Sequence, residues 1–285
     1  GDDLYMIVKR TIDGQTKRYI EVMSDRFTSS VHQRYAHFVD SGLTYDNKKS
    51  ISAATQANPV VLTLESGHGV VDDDPIIVWD CVGMTELNGN TYTAKNVSGD
   101  DVELYTAAGD AAIDGTGFGA YQSGGVVNKK VTTISNLDHL EGETVAVWGD
   151  GAVQAQKTVS GGAIPLAKAA GVVIVGLPYT WIFQPQRLEG GARLGTAQIT
   201  PKQITDLRAR LWRTGTFQSG PTADNLSTLP LASGALGQAP PLYSGDKELP
   251  FDSATNEEGG VYLTGQSPSP ATIVALVMRV TTQEG

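Results

Sequence analysis

The chain has 285 residues, 40% of them apolar, with 33 glycines and 13 prolines. It is long enough for two or three compact domains with real cores, and the lack of Ala, Leu, Glu and Lys runs at helical spacing points to an all-β protein of short strands and turns. A formal charge of −10 opposes tight binding to DNA or to anionic membrane, the single cysteine Cys81 excludes an intrachain disulfide, and four scattered histidines (His32, His37, His68 and His139) offer no Cys/His metal spacing.

Residues 4–10 and 15–23 read as a hairpin about Ile12-Asp13-Gly14, whose Asp-Gly tolerates the positive φ of a tight turn. Residues 27–40 are polar and aromatic without a period, which predicts an irregular or extended segment. The texture changes near Lys48, and a domain boundary is expected there. Strand signals follow at 59–64, 76–79, 91–94 and 102–105, separated by Asn88-Gly89 and Ser98-Gly99-Asp100-Asp101 turns. They outline a small β-module that ends near Gly124-Gly125.

Further strands are expected over 126–134, 144–148, 152–159 and the apolar run Val172-Val173-Ile174-Val175, with Asp150-Gly151 as a turn. Ile204, Leu207 and Leu211 fit a helix, but the alternation Leu207, Ala209, Leu211 fits a strand, and the all-β surroundings favour the strand. Residues 214–241 are rich in Gly, Ser and Pro and predict a long exposed loop, a candidate contact surface. Strands over 260–264 and 271–280 close the chain. The expected architecture is a sandwich- or barrel-like body of short antiparallel strands with one inserted module. Its expected layout is a discontinuous body at 1–48 and 126–185, the module at 49–125 and a second β-domain at 186–285.

The run 172–175 is too short to span a bilayer, and Gly1, Asp2 and Asp3 are unlike the basic start of a signal peptide. A soluble chain without membrane anchor or export signal is expected. Because an initiator Met is missing, the chain reads as an excised piece of a longer protein, with Gly1 left from cloning.

Candidate chemistry is sparse. Asp72-Asp73-Asp74 with Asp80 has the oxygens a calcium ion wants, but it lacks the EF-hand spacing and reads as a solvated turn. His68 near those aspartates has no nucleophile elbow to serve, which leaves it a turn histidine. Gly115-Thr116-Gly117-Phe118-Gly119 lacks the strand and helix of a dinucleotide loop and reads as a flexible turn. Trp79, Tyr92 and Tyr105 offer a sugar-stacking platform or, more simply, core packing. Arg208 and Arg210 would share a strand face and, with Arg213, either meet a neighbouring subunit's acidic surface or lie solvated. Residue patterning therefore assigns no catalytic, cofactor or metal residues and no enzymatic activity. A capsule depolymerase would need a long repetitive β-helix that is missing.

Three ordered blocks carry a resemblance. The first is Leu4-Tyr5-Met6-Ile7-Val8-Lys9-Arg10-Thr11-Ile12-Asp13-Gly14 followed by Arg18-Tyr19-Ile20-Glu21. The second is Leu140-Glu141-Gly142 and Val145, then Asp150-Gly151, Val159 to Gly162, and Val175-Gly176-Leu177-Pro178-Tyr179. The third is Tyr243-Ser244-Gly245-Asp246 with Leu249-Pro250. In order and spacing they resemble the nozzle, or tail tubular protein B-like, proteins of short-tailed bacteriophages. The middle module, with Gly67-His68-Gly69, Val82-Gly83-Met84-Thr85-Glu86-Leu87-Asn88-Gly89 and Tyr92, resembles the FCCH-like β-modules inserted in phage structural proteins. There the usual Gly-Asp is replaced by Asp73-Asp74, and the resemblance implies fold alone.

The nozzle resemblance implies a virion protein, made in the bacterial cytoplasm, that forms a hexameric ring with copies of itself and contacts adjacent tail proteins. Phage DNA would pass through the ring without specific binding, past an acidic lumen that repels it. The rival expectation is an adsorption element whose inserted module binds host-surface glycans.

Overall fold

Alternating apolar residues punctuated by Gly, Asp and Asn turns build a protein of strands, with three single-turn 3-10 helices among the described residues. The computed structural model describes residues 3–24, 27–186, 201–231, 233–234, 238–252 and 259–282. Contacts divide the chain into two units, one of 1–26, 41–176 and 236–239, the other of 27–40, 177–235 and 240–285. The irregular segment 27–40, expected within the N-terminal body, thus belongs to the second unit.

The first unit opens with the hairpin β1 (Tyr5–Ile12) and β2 (Gln15–Val22). Asp13 and Gly14 both have positive φ, at 50° and 68°. Such a two-residue turn twists with the strands and locks Ile12 opposite Gln15 and Tyr5 opposite Val22. After β3 (Asp40–Asp46) the chain enters a closed six-stranded barrel. Its strands are β4 (Lys48–Ala54), β5 (Val61–Leu64), β6 (Pro75–Val82), β7 (Thr91–Ser98), β8 (Asp101–Tyr105) and β9 (Ser123–Lys129). They close in the order β4-β5-β8-β7-β6-β9. Closure removes free edges. The strands β4 and β9 pair, Lys48 opposite Asn128, so the chain enters and leaves the barrel side by side.

Period-two alternation sends Leu62, Leu64, Ile76, Val78, Val102, Leu104 and Val127 into the barrel core. On β6 the other face is buried too, at Ile77 and Trp79. A Cβ on Gly171 would lie 2.7 Å from both Ile77 and Asn128. Fully buried Asn128 donates to Asp46 Oδ1 at 2.8 Å, and Lys130 Nζ lies 3.4 Å from Asp150 Oδ2. These contacts seat the barrel on the body and explain why one unit holds both.

The body continues with β10 (Val131–Ile134), β11 (Thr144–Gly149), β12 (Ala152–Thr158), β13 (Ile164–Ala170) and β14 (Val172–Leu177). One sheet runs β12-β11-β14-β3, and β10 pairs with β13. The apolar run Val172-Val173-Ile174-Val175 is buried throughout, as a central strand covered on both faces requires. At Asp150-Gly151 both residues have positive φ, and Asp150 Oδ1 accepts from the Gly171 and Val172 amides.

The second unit contains β15 (Trp181–Phe183), β16 (Lys202–Thr214), β17 (Gln218–Thr222), β18 (Asn225–Thr228), β19 (Tyr243–Glu248), β20 (Tyr262–Gly265) and β21 (Ile273–Thr282). Its sheets run β15-β20-β17-β18 and β19-β16-β21. The ambiguous stretch 203–212 is a strand. A register shift between Ile204 and Asp206 puts both Ile204 and Leu207 in the core, so a spacing of three that suits a helix arises here from a bulge.

The long exposed loop expected at 214–241 is corrected. Residues 218–228 form the β17–β18 hairpin, and Phe217, Ser219, Gly220 and Leu229 are buried. The Gly, Ser and Pro content reflects a tight turn between Thr222 and Asn225 and a close backbone approach, since a Cβ on Gly220 would fall 1.8 Å from the Asn225 carbonyl oxygen. Residues 232 and 235–237 of that expectation, and 187–200 of the expected 186–285 domain, lie outside the described residues.

Gly115-Thr116-Gly117-Phe118-Gly119 turns at Thr116 and Gly117, as expected, while its flanking residues pack against the barrel. Phe118 joins the barrel core, a Cβ on Gly115 would meet Val60 Cγ2 at 2.4 Å, and Gly119 lies against the Gly83 carbonyl. Gly83 has φ +90°, with space for a Cβ filled at 2.1 Å by the Ala120 carbonyl oxygen. Replacing Gly83 by Ala is expected to lower stability by about 2 kcal/mol or more through strain and clash. Gly117→Ala, which meets nothing within 4 Å, is expected to stay within about 0.5 kcal/mol. Urea titration of both variants checks the pair.

Candidate functional site

The acidic run does not assemble a cation site. Asp72 Oδ1 accepts from the Val97 amide at 2.8 Å, Asp73 pairs with Lys95 at 2.5 Å, and Asp74 pairs with Lys129 at 2.7 Å while accepting from the Val71 amide. Among the described residues, no three His, Cys, Asp or Glu side chains are grouped to hold a metal ion. The carboxylates instead tie the 71–74 turn to β7 and β9.

His68 is a buried turn histidine with both ring nitrogens engaged. Nδ1 accepts from the Val70 amide at 3.0 Å, which leaves Nε2 to donate to the Gly99 carbonyl at 3.1 Å. No nitrogen remains to act as a base. Of the aromatic trio, Tyr92 packs inside the barrel and Trp79 is buried on the other face of the wall, so the two rings do not form one exposed platform. Cys81 is buried as well, and desolvation pushes its thiol up to about 11. A thiol held that high is a poor nucleophile at neutral pH.

The three arginines of β16 are paired within the second unit. Arg210 meets Asp246 through two bonds of 2.7 and 3.0 Å, and Arg208 lies between Asp206 and Glu248. The hydrogen bond from Arg210 holds the Asp246 carboxyl below its usual range. Arg213 does something the sequence did not signal. Its guanidinium donates to the carbonyls of Thr28 at 2.8 Å and Val31 at 2.7 Å and stacks on Phe27 at 4.5 Å. Its amide donates to Ser244 Oγ at 2.9 Å. One arginine thus fastens the 27–31 segment to the sheet.

Glu141 acts similarly in the first unit. Its two carboxylate oxygens accept from the Gly161 and Gly162 amides at 3.0 and 2.7 Å. The β1–β2 hairpin rests against this region. Tyr19 Oη donates to the His139 carbonyl at 3.4 Å, His139 Nε2 lies 3.2 Å from the Ser41 carbonyl, and Ile12 is buried. Arg10 and Glu21 form a two-bond ion pair at 2.8 Å, and Ser41 Oγ donates to Glu21. Chiefly through Arg10, the Glu21 carboxyl is lowered from its ordinary value.

The opposite face of that hairpin is open. Register places Tyr5 opposite Val22, Ile7 opposite Ile20 and Lys9 opposite Arg18, all on one face. Tyr5 is 65% exposed, Ile7 78%, Ile20 77% and Val22 53%. The alternation Tyr5-x-Ile7-x-Lys9 and Arg18-x-Ile20-x-Val22 carried this signal in the sequence, but nothing there showed which face the body would take.

No family model and no curated protein matches the chain. Among the described residues, no helix is long and apolar enough to cross a membrane. What the geometry offers is a surface and a set of internal fasteners. Replacing Arg213 by Ala is expected to cost on the order of 2 kcal/mol, from the loss of charge-assisted bonds to backbone, and to speed proteolysis within 27–40. Arg213→Lys is expected to recover little of this, because a point ammonium cannot reproduce the planar fork. Limited proteolysis with mass mapping checks both.

Proposed function

We propose that the chain is a structural β-subunit whose function resides in contacts between proteins. The charge and the ordered motif blocks carry the reading one step further, to a component of a bacteriophage tail nozzle that works as a scaffold and DNA conduit without catalysis. The observation that carries it is the meeting of two blocks far apart in sequence. Tyr19 of the first block bonds to the His139 backbone beside the second, and a Cβ on Gly142 would touch Asp13 at 3.8 Å. Within each block the resembling residues set turns and strand pairs. Glu141 caps the Gly161-Gly162 turn, and Asp150 closes the turn before β14.

The net charge of −10 fits a bore through which DNA slides, since like charge repels the duplex and offers few sticking points. Of the three aromatic candidates of the glycan-binding alternative, Trp79 and Tyr92 are taken up in packing and Tyr105 is half-buried. Negative-stain electron microscopy tests the proposal. Closed rings with a central bore are expected, and monomeric particles at every concentration would overturn it.

A further inference from the structure

The exposed face of the β1–β2 hairpin combines two unfavourable features. Two directly opposed apolar pairs, Tyr5 with Val22 and Ile7 with Ile20, lie open on a two-stranded sheet. Beside them Lys9 faces Arg18, a like-charge cross-strand pair that is unfavourable alone. Among the described residues neither forms an ion pair, nor does the neighbouring Lys17, whereas Arg10 on the inner face has Glu21. The hairpin, residues 5–22, carries four cations, Lys9, Arg10, Lys17 and Arg18, against two carboxylates, Asp13 and Glu21, in a chain that is acidic overall.

The complementary surface is on the same chain. Residues 48–129, the barrel, hold eleven carboxylates against four lysines, a net −7. At one end, Val71 is 57% exposed beside the exposed Asp72. The bond from His68 to the Gly99 carbonyl joins this loop to the turn bearing exposed Asp100 and Asp101. An exposed apolar residue next to Asp72, on a loop joined to the turn of Asp100 and Asp101, suits a face of Ile, Tyr, Lys and Arg.

The geometry points to a head-to-tail contact in which the outer face of the β1–β2 hairpin of one copy docks on the acidic Val71, Asp72 and Asp100 end of the barrel of a second copy. Such a contact uses two different patches and so propagates around a ring. This deepens the subunit reading and rests on it only in taking a second copy as the occupant. A hairpin face is small beside the roughly 800 Å² per partner of a stable standard interface, so a single contact is weak and salt-sensitive, and closure of a ring strengthens it.

The test is sedimentation velocity at low and high salt with charge-reversed partners, all checked for native circular dichroism. The unaltered chain is expected to self-associate at low salt. Lys9→Glu with Arg18→Glu in one variant, and Asp72→Lys with Asp100→Lys in another, are each expected to lose at least tenfold in association. Mixing the two is expected to restore hetero-association. Ile20→Ser, which removes apolar surface without changing charge, is expected to weaken it as well. Self-association that survives both reversals, or a mixture that fails to pair, would overturn this contact while leaving the subunit reading in place. A monomeric unaltered chain would overturn both. Retention of the unaltered chain, but not the Lys9/Arg18 variant, on vesicles of phosphatidylglycerol would give the face to a membrane and overturn the contact.

Discussion

The left-handed Asp13-Gly14 turn fixes the hairpin register, and through it which side chains the first unit shows to the outside. A slip of one residue would turn Ile7, Ile20 and Lys9 toward the body and expel Ile12, Arg10 and Glu21 from their places. Ile12 is buried and Arg10 bonds Glu21 through both oxygens, so the body enforces the register that the turn sets. Apolar and cationic residues then have no choice but to share the open face. The same device recurs at Asp150-Gly151, where the turn carboxylate also holds the next strand.

A second constraint is the need to satisfy carboxylates in an acidic chain without assembling a reactive cluster. The barrel spreads them outward. Asp72 and Asp74 accept from backbone amides, Asp73, Asp74 and Glu65 take lysines, and Asp110 and Asp114 bond to nearby threonines that lower their carboxyls from the ordinary value. Each is used locally in a turn or strand pair. The sum is a strongly negative barrel joined to a positive hairpin, and that charge separation lies within one unit.

Much of the fold was legible because turns and alternation act locally. The Asp-Gly pairs at 13-14 and 150-151, the buried run at 172–175 and the strand at 207–211 all followed from residue type and spacing. The 214–241 segment was not legible in that way. Its Gly, Ser and Pro composition belongs equally to a loop and to a tight hairpin, and only the burial of Phe217 and Ser219 separates the two. The spacing of Ile204 and Leu207 suits a helix as well as a strand for a related reason, since a bulge shifts strand period by one. Candidate sites were legible only as residue types. That Trp79 and Tyr92 are packed, that Arg213 grips 27–31 and that one hairpin face stays bare depend on partners distant in sequence.

We propose that this protein acts through surfaces, the bare hairpin face among them. A photo-reactive side chain installed at Ile7, irradiated in a mixture of isotopically light and heavy chains and mapped by mass spectrometry, addresses it most directly. Mixed light–heavy adducts are expected, with attachment sites near Val71, Asp72 and Asp100 of the other copy. Attachment confined to the same chain, or mixed adducts mapping only outside residues 48–129, would contradict it.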